Sequence, residues 1–475
     1  VAHERRPAGE KNAAAPVNQS EHAPAPPLRT RDLVLYALPG TGVSFLFALV
    51  LVMYMKFATD VLHLAPAVMG VIFFASKIWD AVSDPIAGRL SDATRSRLGR
   101  RKSWLLASSV PLGLTSIAMW APPEGLSDAA LTLWITVAVF AFYTAYTLFE
   151  VPHMALGAEL TFDLRERNRV FGMRQLLRSI GLFAAFGIGS ALLEDSSTAR
   201  SHALWLSIGA GAFTSVTIVA AVLRLPPERA DHARRGGSGI YASLRDVARN
   251  PHARILLFVF FIEQMGIGGI GVLVPYVVEY VMLRPDLISE MLIIYVICTV
   301  GSIPIWVWLG GRYDKRSLWI VAMWMSLVGF GSLLFIDEGT IGIMVFCALV
   351  AGTAGGCGPT LGQAIKADVI DWDEYQTGER KEGAYFAAWS FTSKLAAGVM
   401  IGLVGLSLQA SGFKEGSLQP SIVRGTMLFL MGGMPVFGFG LAILAFRRFA
   451  LDRSEHARIR DAIERGVSPG ALRPR

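Results

Sequence analysis

Stretch after stretch of this chain is apolar over about twenty residues, the length an α-helix needs to cross the hydrocarbon core of a bilayer. That recurrence restricts the fold to a bundle of membrane helices. Spans are predicted at 33–57, 66–90, 103–121, 130–157, 172–193 and 203–224, then at 254–281, 288–309, 318–335, 340–366, 383–411 and 421–448. With 53% hydrophobic residues, 17% charged residues and a mean hydropathy of +0.47, the surrounding solvent is lipid. The expected class is all-α, with twelve spans.

A net charge of +7 would suggest nucleic acid in a soluble protein, but here the basic residues gather in the loops between spans. Arg95, Arg97, Arg100, Arg101 and Lys102 follow span 2, Arg165, Arg167 and Arg169 follow span 4, and Arg312, Lys315 and Arg316 follow span 8. The opposite loops hold little beyond Arg200, Arg284 and Lys414. This asymmetry predicts both termini on the cytoplasmic side of a plasma (inner) membrane, with no nucleic-acid partner. Residues 1–31 read as a disordered cytoplasmic tail, 32–224 as a six-helix half, 225–253 as a polar cytoplasmic linker, 254–448 as a second six-helix half and 449–475 as a C-terminal tail. A monomer is expected.

Charge inside an apolar span needs a reason. Asp80 and Asp84 lie one helical turn apart in Lys77-Ile78-Trp79-Asp80-Ala81-Val82-Ser83-Asp84-Pro85. One Asp at the centre of a membrane helix costs about 2.5–3.5 kcal/mol, and two at this spacing also repel, so the pair calls for a bound cation or a proton. The alternative is an internal ion-pair network with Lys77 or Lys394. Lys394 sits mid-span in Ser390-Phe391-Thr392-Ser393-Lys394-Leu395, too far from either end to snorkel, and must face a carboxylate or a cavity.

Other chemistry is weakly represented. Cys298, Cys347 and Cys357 have no ligand spacing, which points to neither disulfide nor metal. His153 and His202 stand alone, and there is no HExxH or GxSxG, so an enzyme is not expected and no cofactor beyond a coupling ion is implied. A channel would not need two matched halves. Their match is visible in Gly88-Arg89-Leu90-Ser91-Asp92 after span 2 and Gly310-Gly311-Arg312-Tyr313-Asp314 after span 8, each followed by basic residues. In such a turn the Asp can accept from helix-end N–H groups or from an Arg.

Two blocks carry a resemblance to a known family. Trp79-Asp80-Ala81-Val82-Ser83-Asp84-Pro85-Ile86-Ala87-Gly88 with the stretch from Ser91 to Trp104 resembles the hallmark of the glycoside-pentoside-hexuronide:cation symporters, the melibiose permease family. The block from Ala367 to Arg380, with Glu382 and Gly383 after it, resembles that family's loop between spans 10 and 11. The resemblance covers about residues 33 to 448 and implies a major facilitator fold and secondary transport of a small solute, coupled to Na⁺, Li⁺ or H⁺. Sugars and glycosides are the substrates it implies.

By position, the resemblance implies cation binding by Asp80, Asp84 and the span-4 hydroxyl of Thr147, and coupling through Lys394. Hard monovalent cations prefer such oxygen ligands. It places Glu150 where the family has a sugar-binding aspartate, three residues after Thr147, and aligns Arg174 with a sugar-site arginine after a one-residue gap. Ser44 stands where sugar-transporting members have an aspartate on span 1, and a hydroxyl is a poorer acceptor than a carboxylate. Glu263-Gln264 in span 7 and the stretch Ile303–Trp308 resemble the sodium-dependent lysophosphatidylcholine transporters, which makes a lysophospholipid or other amphipathic solute the alternative. Trp389 completes the candidate substrate contacts. Asp92, Arg97, Asp163, Arg167, Asp371, Glu374 and Arg380 form a candidate cytoplasmic gate, or else a solvated loop surface.

Overall fold

A backbone surrounded by lipid must satisfy its own hydrogen bonds, and helices do so within one segment. The computed structural model describes residues 28–161, 164–189, 196–226, 245, 247–378, 381–451 and 453–465, and every regular element among them is helical. Eleven described helices are long and apolar enough to cross a membrane: α1 (Thr30–Val52), α2 (Pro66–Ala93), α3 (Arg100–Trp120), α4 (Asp128–Glu159), α6 (Thr198–Arg224), α7 (Pro251–Tyr280), α8 (Pro285–Arg312), α9 (Lys315–Phe335), α10 (Ile341–Thr377), α11 (Glu382–Ser411) and α12 (Ser421–Phe446). The remaining long helix, α5 (Leu164–Gly189), packs in the bundle beside α1. Its arginines keep it out of the apolar set. The chain is a multi-pass membrane protein.

Local chemistry sets the helix ends. Asn250 caps α7 by accepting from the His252 and Ala253 amides, with Pro251 in the first turn. Gly378, at φ +70°, stops α10 in the left-handed region.

Two boundaries differ from the sequence expectation. Span 10 does not give way to a loop at Ala367; α10 continues to Thr377, because Ile365, Val369 and Ile370 recur at helical spacing on a buried face. A π-helical segment, Gly358–Gly362, interrupts its middle. Span 5 begins at Leu164, ahead of the expected residue 172. Beyond residue 449, α13 (Arg453–Glu464) is a docked amphipathic helix: Ile459 and Ala462 are buried, and His456 Nε2 lies 3.0 Å from Asp371 and 3.4 Å from Asp368.

The two halves meet along α2 and α11. Cβ atoms added at Gly70 and Gly405 would approach within 3.0 Å of Gly405 Cα and within 2.3 Å of Pro66 O, so these helices touch backbone to backbone. On the face opposite the arginine-rich loops the halves are also joined by polar contacts. Lys56, just past α1, pairs with Asp60 and lies 2.7 Å from Glu279 of α7. Tyr280 donates to Asp60 at 2.7 Å, Thr59 and Tyr276 share a 2.8 Å hydrogen bond, and Ser289 donates to the Phe186 carbonyl at 2.5 Å.

Candidate functional site

Crossing α2 against α11 brings an ammonium from one half onto the acids of the other. Lys394 Nζ is 2.9 Å from Asp80 Oδ1, 2.6 Å from Asp84 Oδ2 and 3.2 Å from the Asp80 carbonyl oxygen. Thr147 Oγ1, from α4, lies 3.0 Å from Asp80 Oδ1 and 3.2 Å from Asp84 Oδ1, so its proton can serve either carboxylate. Ser83 donates to that hydroxyl at 3.2 Å. The four residues singled out from the sequence therefore converge, and Ser83 joins them unforeseen.

The two carboxylates are not equivalent. Asp80 is 1% exposed and Asp84 26%, so Asp84 is the one an incoming ion reaches first. Two acids and the one ammonium bonded to them carry a single negative charge, and the buried Lys77, which shares their field without touching them, balances it through space. Lys77 makes no salt bridge to either acid, although it feels both through space. It is buried, with Nζ 4.7 Å from the Phe47 ring centre and 4.4 Å from that of Tyr143.

A second charged cluster lies one turn along α4. Glu150 accepts from Arg174 at 2.5 Å and from Arg178 at 3.1 and 3.0 Å, both arginines standing on α5. Two guanidiniums on one carboxylate leave a net positive charge. Arg174 also lies 3.4 Å from His153 Nδ1, and His153 is stacked between Tyr36 and Phe149 as a packed histidine. Arg178 escaped sequence reasoning, although its i,i+4 spacing from Arg174 was there to be read. Ser44 is buried on α1, and among the described residues no hydrogen bond ties it to this cluster.

The C-terminal half supplies different material. Lys56, a possible counter-charge for Glu263, is taken by Asp60 and Glu279 instead. Glu263 Oε2 is buried with no hydrogen-bond partner, and so is Trp389 Nε1. Neither residue contacts the Glu150 cluster through a hydrogen bond.

The gate candidates separate by half. Asp92 pairs with Arg101, which also reaches Glu159 at 3.2 Å, while Arg97 is exposed. Arg167 donates to the Ala158 and Thr161 carbonyls at 3.2 and 3.5 Å. Asp371 is bound by His456, and Glu374 lies almost one turn further along α10. Asp163 and Arg380 lie outside the described residues. The repeated turn acids have diverged: Asp92 takes an arginine, whereas Asp314 caps α9 by accepting from Ser317 N at 3.0 Å.

Helices in two sets of six, an ion-pair lock between the sets and buried charge at mid-membrane define a major facilitator transporter. Residues 35–453 match the family model for MFS/sugar transport proteins, and the chain belongs to that family, within the glycoside-pentoside-hexuronide:cation symporters. It is a transporter and not an enzyme. The isoprimeverose transporter of Lactiplantibacillus pentosus is 25% identical over 92% of this chain and 92% of its own length. Sodium-dependent lysophosphatidylcholine symporter 1-A of Danio rerio is 25% identical over 88% of this chain and 84% of its own. Among solved structures, that of a D-xylose-proton symporter superposes with a TM-score of 0.65 at 13% identity, covering 88% of this chain and 97% of that one, a likeness of fold.

Proposed function

We propose that the protein couples entry of a monovalent cation, Na⁺, Li⁺ or H⁺, to symport of a small sugar or glycoside across the plasma membrane by alternating access. The observation that carries this is Lys394 of one half seated between Asp80 and Asp84 of the other. A cation entering at Asp84 competes with that ammonium for the same oxygens. Once the acids hold the ion, Lys394 is released and the bond between halves across α2 and α11 loosens, so ion binding shifts the balance of conformations. Solute then adds to the same equilibrium by binding between Glu150, Arg174 and Arg178 on one side and Glu263 and Trp389 on the other. The cytoplasm lies on the arginine-rich face in this reading, with both termini there. The polar contacts of Lys56, Tyr276 and Tyr280 then close the outer face.

One observation favours an amphipathic solute as a second reading. An apolar groove of about 280 Å³ runs between α1, α5 and α6, lined by Phe45, Gly181, Ala184, Trp205, Leu206 and Phe213. An apolar slot on the helix that also carries Arg174 and Arg178 suits the acyl chain of an amphipathic solute. The two readings part in proteoliposomes. Uptake of isoprimeverose driven by a Na⁺ or pH gradient supports the first, and uptake of lysophosphatidylcholine under the same gradients supports the second. Uptake of either that ignores both gradients overturns cation coupling.

A further inference from the structure

Beyond the Asp80–Asp84–Lys394 triad, the C-terminal half buries an acid and a base that do not pair. Lys366 of α10 is 6% exposed, with Nζ 4.3 Å from the Phe260 ring centre and 5.1 Å from that of Trp389. Two aromatic faces stabilise the ammonium there, and no described carboxylate comes within 4.0 Å of it. Glu263, on α7, points at the π segment of the same α10. A Cβ on Gly358 would lie 2.6 Å from its Oε1, so the carboxyl sits close against the backbone at 358, while Oε2 is buried without any donor. Tyr295 of α8, Cys357 of α10 and Lys366 are the titratable groups that share its field. From α11, Ser393 bonds the neighbouring Gln264 at 3.1 Å and leaves Glu263 alone.

An ionised carboxylate with one oxygen cut off from water and from donors is penalised heavily, and adding a proton removes the penalty. We propose that Glu263 is a proton-binding site within the membrane, which together with Lys366 forms a second cation-responsive centre, in the half that lacks the aspartate pair. The step is a simple protonation. The carboxylate takes one proton from water when the cavity is open and becomes a carboxylic acid, and the Glu263–Lys366 couple goes from neutral to a charge of +1. With its ammonium against the two rings, the positive charge of Lys366 favours release of the Glu263 proton once water returns. The π segment, which places Gly358 against the acid, is the sort of local irregularity that accompanies functional positions in helices.

The test reads protonation directly and needs no solute, so a failure of the transport reading leaves it intact. The full chain is reconstituted in lipid nanodiscs, and infrared difference spectra are recorded between about pH 5 and about pH 9. The wild type should show the band of a buried protonated carboxyl, which persists in Asp84→Asn, disappears in Glu263→Gln and moves in Glu263→Asp. Lys366→Met should shift its midpoint upward by about one pH unit, since removing a nearby positive charge favours the protonated acid. A difference spectrum that is the same in the wild type, Glu263→Gln and Glu263→Asp overturns the proposal. So does a midpoint that Lys366→Met leaves in place.

Discussion

The two halves of the molecule treat buried acids differently, although each rests one buried lysine, Lys77 or Lys366, on aromatic faces. Among the described residues of the N-terminal half the acids singled out inside the spans are answered: Asp80 and Asp84 by Lys394 and Thr147, Glu150 by Arg174 and Arg178. In the C-terminal half Glu263 has an oxygen with no partner, and Lys366 rests on aromatic faces. An answered acid holds structure together and can be exchanged only by a competitor of like charge. An unanswered one changes state by gaining or losing a proton. The proposed roles follow that contrast, with cation competition in one half and simple protonation in the other.

The contrast can be broken most decisively at Lys394. Removing one partner of a buried, bonded pair typically costs about 3–5 kcal/mol, so Lys394→Met, which leaves Asp80 and Asp84 facing each other without their ammonium, should lower the thermal unfolding temperature sharply and abolish cation-driven uptake. Glu263→Gln, which replaces a carboxyl whose Oε2 has no hydrogen-bond partner, should leave the unfolding temperature within a few degrees of the wild type. Equal destabilisation by the two, measured in the same detergent, would erase the difference between the halves. Arg178→Ala comes next in size. It removes charge-assisted bonds of about 1.5–3 kcal/mol from Glu150 and should weaken solute binding by about tenfold or more, read by titration calorimetry, while the Na⁺ or proton dependence persists. A smaller change is expected at Ser83→Ala, where loss of one hydrogen bond of about 1 kcal/mol should raise the cation concentration for half-maximal uptake several-fold. Smallest of all, Arg97→Ala should leave transport unchanged, because Arg97 is exposed and Arg101 is the residue that engages Asp92. A large loss at Arg97 would revive it as a gate residue.

Much of the architecture was readable because lipid imposes a simple rule on sequence. Apolar runs gave the spans, and a carboxylate pair or a lysine too deep to snorkel stood out against them, which is why Asp80, Asp84 and Lys394 were found together. Thr147 and Glu150 required the family resemblance, since a hydroxyl or an acid near a span end has no distinctive pattern. Lys366 was missed for a physical reason. With span 10 taken to stop at residue 366, a lysine there reads as one more basic residue at a helix end, and only the continuation to Thr377 puts it inside the bundle. The same error hid α13, whose polar sequence gives no hint that His456 would meet Asp368 and Asp371 until the end of α10 is helical. Ser83 was overlooked because small hydroxylated residues are common in membrane helices and signal nothing until a partner is known.

The glycines where α2 meets α11 deserve a mechanical reading. With no side chain standing between Gly70, Gly402 and Gly405, the two rods rest on smooth backbone there, whereas further along the same crossing Lys394 is clamped by two aspartates. A smooth bearing at one end and a releasable catch at the other make a lever. In the proposed cycle, opening the catch would let one rod tilt about that fulcrum while the packing that supports it stays in place.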